Sequence, residues 1–321
     1  MRGRTLLIAL ALVACAATAY AAPLAVDGFD ACDLANEATV TGSGWSAVSA
    51  SSPNRCKAQL VQPSGSASYL TQTYSATQTP QAYTKVTWSS GSGTRTLLGV
   101  GTASVNGCLV QLDSGTGELV LRYGTYSEIG RAAIPASTET GVGLVQSDGS
   151  GGSCSSSCVV TCQLYVDGVK KLGDSYSSIA GADYTVPTTT WIGSRTTNAG
   201  TYTATFDPLI TEDQVSTIIG AARVLPLTPN AEPGLTQWNS SSSCSGSRWA
   251  CVDDFASGSG AHDDTATVIR TSANGDLHAF GLTNVTLAAG ESVAAVLSLG
   301  VARAVTFGDG RNWRLNQYDG T

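Results

Sequence analysis

The seven residues 163–169, Gln-Leu-Tyr-Val-Asp-Gly-Val, constrain the fold of this chain more than any other segment. In an extended strand, Leu164 and Val166 point to one face and Tyr165 points to the other. Asp167-Gly168 predicts a type I′ turn, because both central positions of that turn need a positive φ. The segment therefore predicts a β-hairpin, and we interpret the first two thirds of the chain around it.

Short alternating or apolar runs predict further strands on both sides of this hairpin. They cover residues 83–88, 96–100, 107–112, 117–123, 141–146, 190–195 and 202–206. The run 107–112 is separated from 117–123 by Asp113-Ser114-Gly115-Thr116, which predicts a second hairpin with a longer loop. Only 13% of the residues are charged and 36 are glycine, a composition typical of many short strands and turns. The fold class predicted from these patterns is all-β.

Three short motifs resemble extracellular jelly-roll modules, among them laminin-G-like and concanavalin A-like ones. They are the LYVDG hairpin, an opening Asp27-Gly28-Phe29-Asp30 followed by Trp45, and Ile192-Gly193 near the end of a strand. The resemblance covers about residues 24–222 and implies a concanavalin A-like jelly-roll sandwich.

Modules of this kind often close with a short helix, and the sequence predicts one here. Thr211-Glu212-Asp213-Gln214 has the pattern of a capping box, with Thr211 as the N-cap. Val215, Ile218, Ile219 and Ala222 then follow at helical spacing.

We divide the chain into four segments. Residues 1–21 are a signal peptide, 22–224 the jelly roll, 225–234 a linker containing three prolines, and 235–321 a second, smaller β-sandwich-like domain. The order of tryptophan, paired aspartates and Asp-Asp-x-Ala-Thr-Val in the last segment resembles a β-module of phage virion and phage-like secreted proteins. That segment is short for a closed sandwich and stops within a strand-like run, which suggests a truncated reading frame.

The first residues indicate export. Arg2 and Arg4 precede a short apolar run, and Ala19-Tyr20-Ala21 fits a cleavage site. A second interpretation uses Cys15, because Leu12-Val13-Ala14-Cys15 resembles a bacterial lipobox. We predict a secreted, extracellular or periplasmic protein that would reach a membrane only if Cys15 is lipidated.

Eight of the nine cysteines lie beyond the predicted signal peptide, and an even number in an exported chain indicates disulfides. Proximity in sequence suggests one pair in each of two regions and leaves the other four to pair among themselves. The suggested pairs are Cys32 with Cys56 and Cys244 with Cys251, and the remaining cysteines are Cys108, Cys154, Cys158 and Cys162. A metal site in the last three is the alternative, although zinc sites usually have different spacings.

Calcium is the one cofactor that the sequence suggests. Laminin-G-like modules often bind it at the rim of the sandwich through aspartate and carbonyl oxygens, ligands that suit a hard cation. The candidates are Asp253, Asp254, Asp263 and Asp264 in the second domain, and also Asp167 and Asp174 near the hairpin. The turn at Asp167-Gly168 already explains Asp167 without a metal.

Several functions are disfavoured. The net charge of −7 argues against a nucleic-acid partner, and no glycine-rich phosphate loop predicts a nucleotide. No Gly-x-Ser-x-Gly motif occurs, and the Glu-x-Asp-x-x-Glu strand of concanavalin-type glycosidases is absent. Glu118 is the best isolated strand carboxylate, but Arg122 on the same face predicts a surface ion pair, as Glu128 and Arg131 do. We therefore predict a protein that is not an enzyme.

Aromatic side chains in or beside loops could stack on sugar rings. The candidates are Tyr123, Tyr126, Tyr176, Trp191 and Tyr202, with Tyr184 as a further ring, and core packing is the alternative for each. The sequence leaves three functions open. They are a non-catalytic module that binds extracellular or cell-surface glycans, a structural or adhesive protein of phage or virion origin, and, least favoured, a carbohydrate-active enzyme.

Overall fold

The computed structural model describes residues 23–213 except 30–33, 35–37, 50–55, 78, 90, 103–106, 125–126, 149–156, 181–185 and 198–199. Beyond that region it describes residues 222, 224, 229–231, 234, 236–237, 239–240, 247–248, 269–270, 280–282 and 287. The side chains of strand residues 23, 27, 127, 148, 157–158, 174–180, 239–240, 269–270 and 281 are left undescribed.

Fifteen of the described strands belong to the first region. They are β1 Pro23–Asp27, β2 Thr39–Thr41, β3 Trp45–Ser49, β4 Cys56–Gln62, β5 Ser68–Thr73, β6 Pro80–Trp88, β7 Ser92–Gly101, β8 Gly107–Asp113, β9 Glu118–Tyr123, β10 Ser127–Ala133, β11 Thr140–Asp148, β12 Ser157–Val166, β13 Val169–Ala180, β14 Thr189–Ser194 and β15 Gly200–Asp213. All of their pairings are antiparallel.

The strands form two sheets that pack as a jelly-roll β-sandwich. The first sheet has the order β3-β4-β15-β6-β11-β12-β13, with β1 pairing the last part of β15. The second sheet has the order β10-β9-β8-β7-β14-β5-β2. The two sheets join at one corner, where Gly200 of β15 pairs with Gly93 of β7. The predicted all-β jelly roll is confirmed.

The hydrophobic core lies between the two sheets. Leu60, Val86 and Phe206 point inward from the first sheet, and Val110 and Leu121 from the second, all fully buried. Alternate residues of the same strands point outward, as strand geometry requires. Burial of this apolar layer supplies the main favourable free energy of folding.

The hairpin at 163–169 forms as predicted. Val166 of β12 pairs with Val169 of β13, and Asp167 and Gly168 have φ values of 50° and 76°. Asp167 also joins the turn to β11, because its Oδ1 accepts a hydrogen bond from the Gly141 amide at 2.7 Å. The Asp167 amide donates in turn to the Gly141 carbonyl at 2.8 Å. This Asp167 carboxylate therefore has a structural role.

The predicted start of a helix at Thr211 is wrong. Thr211 and Glu212 continue β15, where Thr211 pairs with Ala82 on one side and with Ala25 on the other. Backbone hydrogen bonds to two neighbouring strands outweigh the local capping pattern, a case of tertiary pairing overriding intrinsic preference. Residues 214–221, which complete the predicted helix, lie outside the described residues.

A disulfide joins the two sheets through the core. Cys108 of β8 and Cys162 of β12 are both fully buried and bonded to each other. This confirms that two of the four remaining cysteines pair among themselves. Cys56 is also disulfide-bonded. Cys32, Cys154, Cys244 and Cys251 lie outside the described residues, and the side chain of Cys158 is not described. A buried disulfide indicates an oxidising compartment.

A buried arginine braces the corner between the sheets. The Arg95 side chain on β7 is fully buried, and it donates to the carbonyls of Gly200 at 3.0 Å, Thr196 at 3.2 Å and Pro63 at 3.3 Å. Burial lowers the pKa of this guanidinium, because desolvation disfavours its charged form. Arg95 thus connects β7 to two backbone segments, at Pro63 and at residues 196–200, that are far from it in sequence.

Beyond residue 213, the described residues include two small strand pairs. Strand β16 (Pro229–Ala231) pairs with β19 (Gly281–Leu282), and β17 (Asn239–Ser240) pairs with β18 (Ile269–Arg270). The segment predicted as a linker therefore contains a paired strand, and the division into domains stays a prediction. Within the described part of the chain, no helix has the length and apolar character needed to cross a membrane.

Candidate functional site

The outer face of the second sheet carries one row of residues that crosses all seven strands. Cross-strand register aligns Thr39, Thr71, Trp191, Gly99, Leu109, Arg122 and Glu128 in that order. The next residue on several of these strands, such as Ile192 or Val110, belongs to the core. Because side chains alternate along a strand, the row points away from the core. We call it the cross-strand row.

Trp191 is the largest side chain of this row. It is fully buried, yet it does not belong to the core cluster between the sheets. A Cβ atom added to Gly99 would lie 2.3 Å from Trp191 Cε2, so the indole rests directly on the backbone of β7. Only glycine leaves room for this approach. The sequence therefore places a buried indole at the middle of the outer face, beneath the side chains that cover it.

Arg195 covers this indole. Its guanidinium carbon lies 4.5 Å from the centre of the Trp191 ring and 5.1 Å from the centre of the Tyr69 ring. The Arg195 Nη1 also donates to the Thr102 carbonyl at 2.7 Å. A cation above two aromatic faces is worth roughly 0.5–2 kcal/mol, depending on its desolvation. Arg195 and Tyr69 are both half-buried and so form the solvent side of this stack.

Three buried polar atoms of the row have no hydrogen-bond partner within the described part of the chain. They are Trp191 Nε1, Thr71 Oγ1 and Arg122 Nε. Thr71 and Trp191 are directly opposite each other on β5 and β14, and their exposed fractions are 7% and 0%. Buried polar groups nearly always have partners, so we expect water to complete the hydrogen bonding here, as at other buried atoms such as Tyr83 Oη and Trp88 Nε1.

The far end of the outer face is strongly charged. Arg131 on β10 binds Glu128 at 2.7 Å, Asp113 at 3.0 Å and Glu118 at 3.2 Å. The predicted pair of Glu128 with Arg131 is confirmed. The predicted pair of Glu118 with Arg122 is wrong, because Arg131 reaches Glu118 from the neighbouring strand. Arg122 Nη1 instead donates to Gln111 Oε1 at 3.5 Å.

These contacts change the acidity of the carboxyl groups. The hydrogen bond from Arg131 lowers the pKa of Asp113 and that of Glu128. Both carboxyl groups therefore stay ionised to a lower pH than unpaired ones would, which favours their pairing with Arg131. Arg131 is therefore already paired with carboxylates of the protein itself.

The rings predicted to stack on sugars occupy different places. Tyr123 and Tyr202 point into the core with exposed fractions of 2% each, so these two do not offer a free face to a sugar. Tyr202 instead donates to the Thr96 carbonyl at 3.0 Å. Trp191 alone of the three described rings lies on the outer face. Tyr126 and Tyr184 lie outside the described residues, and the side chain of Tyr176 is not described.

The metal candidates cannot be placed in the same way. Asp253, Asp254, Asp263 and Asp264 lie outside the described residues, and the Asp174 side chain is not described. Among the side chains that are described, no group of three or more His, Cys, Asp or Glu could hold a metal ion. The proposed calcium site therefore stays a prediction.

Sequence reasoning missed Tyr69, Thr71, Gln111 and Arg195 as members of one face. Arg195 follows Trp191 by four residues, and an even spacing along an extended segment favours the same face. This spacing could have placed Arg195 on the same face as Trp191 from the sequence alone. The approach of β5 and β8 to the same face depends on register between distant segments, for which the chain gives no local signal.

No protein-family model and no curated protein matches this chain. Among solved structures, it is similar to a Trypanosoma rangeli sialidase in complex with 2,3-difluorosialic acid, at 18% identity and a TM-score of 0.35, over 50% of this chain and 28% of the sialidase. The chain thus spans less than a third of that enzyme.

Two similar structures are matched over nearly their whole length. The cellulose-induced protein Cip1 is 11% identical with a TM-score of 0.46, over 61% of this chain and 99% of Cip1. Domain 4 of AbnA, an extracellular arabinanase from Geobacillus stearothermophilus in complex with arabinotriose, is 15% identical with a TM-score of 0.42, over 62% of this chain and 95% of that domain. At such identities and TM-scores, these likenesses carry no information on ligand or activity.

Proposed function

We propose that this chain is an exported, non-catalytic protein that binds extracellular or cell-surface glycans on the outer face of its second sheet. The observation that carries the proposal is the stack of Arg195 on Trp191 and Tyr69 beside buried polar atoms that lack partners. Sugar rings bind to sites that combine aromatic faces with hydrogen-bond donors and acceptors.

The accessible part of the stack makes the first contacts. Tyr69 and Arg195 are half-buried, whereas Trp191 forms the floor beneath them. A sugar that approaches this face meets the tyrosine ring and the guanidinium, and its hydroxyl groups can reach toward Thr71. The disulfide Cys108–Cys162 supports an oxidising compartment, which agrees with export.

The test uses residues 22–321 on a broad glycan and polysaccharide array, once with calcium and once with EDTA. We expect binding in at least one condition. Loss in EDTA assigns a calcium-dependent role, and unchanged binding in EDTA removes the metal from the proposal. If no binding is detected in either condition, the proposal of glycan binding is refuted and a structural or adhesive protein is favoured. Release of product from a polysaccharide contradicts the non-catalytic part, and Glu118→Gln is then the first variant to make.

A matched pair of variants locates the site. Tyr69→Ala removes a half-buried ring from the outer face of the second sheet. Tyr165→Ala removes a half-buried ring from the outer face of the first sheet, where its hydroxyl contacts Gln163 at 2.8 Å. Loss of one stacking ring costs roughly 1 kcal/mol, or about fivefold in affinity. We expect this loss for Tyr69→Ala only, and equal affinities of the two variants contradict the proposed location.

A further inference from the structure

The arginines on the outer face of the second sheet differ in one respect, which is the number of carboxylates that they contact. Arg131 binds three, all within 3.2 Å. Neither Arg122 nor Arg195 forms an ion pair with any carboxylate of the described residues. Arg195 has one hydrogen bond to a backbone carbonyl and its two ring contacts. Arg122 has one weak contact with the amide oxygen of Gln111.

Both guanidinium groups keep donors that this face does not use. A guanidinium has five N–H donors in a rigid plane. Arg122 Nε is buried without a partner within the described part of the chain. Leaving a donor of a charged group unpaired in a buried position is costly. Stacking on Trp191 and Tyr69 also holds the Arg195 plane in one orientation. These groups are therefore arranged to receive an anion.

The net charge of the chain does not argue against this. The formal charge is −7. Charges separated by more than about 8 Å are largely screened at physiological ionic strength. The carboxylates nearest to Arg122 on this face, including Glu128, are held by Arg131. The electrostatic attraction on a ligand at the middle of the face therefore comes mainly from the two arginines, rather than from the net charge of the chain.

The spacing of the two arginines also favours an extended ligand. Arg122 is three strands from Trp191 along the cross-strand row, and neighbouring strands lie about 4.8 Å apart, which gives a separation of roughly 14 Å. Leu109 and Gly99 lie between them and contribute no charge. A single small anion cannot contact both arginines, whereas an oligosaccharide with repeated acidic groups can.

We infer that the glycan recognised by this face is acidic, with its carboxylate or sulfate groups bound by Arg195 and Arg122. This inference rests on the proposed function and adds the chemical class of the ligand. Planar carboxylates pair with guanidinium groups through two parallel hydrogen bonds, which sulfates can also accept. Tyr69 then contacts the sugar rings beside the acidic groups, and Trp191 supports Arg195 from below.

The test compares ligands that share a backbone and differ in charge. Polygalacturonate carries free carboxylates, and its fully methyl-esterified form carries none. Dextran sulfate, compared with neutral dextran, tests sulfate in place of carboxylate as the source of the charge. Binding is measured by calorimetry at low and at high salt with residues 22–321. We expect the acidic form to bind at least tenfold more tightly than its ester, and added salt to weaken that binding.

Two double variants with the same change in net charge provide the control. Arg122→Gln/Arg195→Gln removes the unpaired arginines, and Lys170→Gln/Lys171→Gln removes two exposed lysines on β13 of the first sheet. We expect about a tenfold loss of affinity for each arginine, because each substitution removes a charge-assisted hydrogen bond to the ligand. The lysine variant keeps its affinity.

The outcomes separate this inference from the proposed function. If neutral and acidic glycans bind equally well, or if both double variants lose the same affinity, the acidic class is refuted while glycan binding stands. If no glycan of either kind binds, both fail. Thermal unfolding of the arginine variant is recorded in parallel. If glutamine at either position lowers the melting temperature, lysine, which retains the charge, is introduced there instead. Restored affinity for the acidic ligand with lysine then supports the inference, and no restoration overturns it.

Discussion

Removal of the disulfide Cys108–Cys162 tests whether the two sheets depend on a covalent link. The double variant Cys108→Ala/Cys162→Ala releases a loop with a sequence separation of 54 residues. In the chain-entropy account, closure of a loop of that length stabilises the folded state by about 4 kcal/mol. Both sulfur atoms are buried, and the smaller alanine side chains leave a gap that adds to this loss.

The assay is equilibrium unfolding in urea, followed by tryptophan fluorescence. We expect the free energy of unfolding to fall by about 4 kcal/mol and the melting temperature to fall by roughly 8–16 °C. The urea dependence should become steeper, because the unfolded chain without the link exposes more surface. A loss below about 1 kcal/mol with an unchanged slope would refute the reasoning, since it would show that core packing alone holds the sheets together. Reduction of the native protein is the control, and the buried bond should resist reductant until the protein unfolds.

Two further predictions concern buried charged groups. Arg95→Met deprives three carbonyls of a donor and should lower the free energy of unfolding by about 2–4 kcal/mol, as measured in urea, whereas an unchanged value would mean that water replaces the guanidinium. Glu212 is buried with one hydrogen bond, at 3.0 Å from Gln81 Nε2, and burial raises its pKa above the ordinary 4.5. As the pH rises, the Glu212 carboxyl of the unfolded chain therefore loses its proton at a lower pH than that of the folded chain. The free energy of unfolding falls as the pH rises above about 4.5. Glu212→Gln should melt at a higher temperature than the parent at pH 7 and at the same temperature at pH 4, and a difference that does not change with pH would contradict this account.

Local turn chemistry and strand alternation were sufficient to predict the hairpin at 163–169, the loop at 113–116 and the all-β class. Each of these depends on neighbours in sequence. The prediction of a helix from Thr211 was wrong because the structure of this segment depends on residues distant in sequence. Backbone pairing with β1 and β6 outweighs the local capping pattern. Those two partners lie more than a hundred residues upstream, and their presence is not visible in the residues around Thr211.

The candidate site was only partly predictable. Trp191, Tyr123 and Tyr202 were all selected as rings that could stack on sugars, yet Tyr123 and Tyr202 point into the core, whereas Trp191 lies on the outer face. Alternation divides a strand into two faces without saying which face packs on the other sheet. The cross-strand row draws its members from seven strands, and only the register of those strands brings Arg122 onto the face that carries Arg195.

The position of β15 has a consequence for how this chain reaches its folded state. This strand pairs with β1, β4, β6 and β7, and so touches both sheets. Gln62 of β4 meets its partner Tyr202 only after roughly 140 further residues have been synthesised, a wait of roughly 7–30 s at ordinary rates of translation. Until then β4 and β6 have unpaired edges that can associate with other chains. Assembly of the first sheet therefore waits for β15, and we expect a chain released before residue 200 to leave β4 and β6 without the strand that they share.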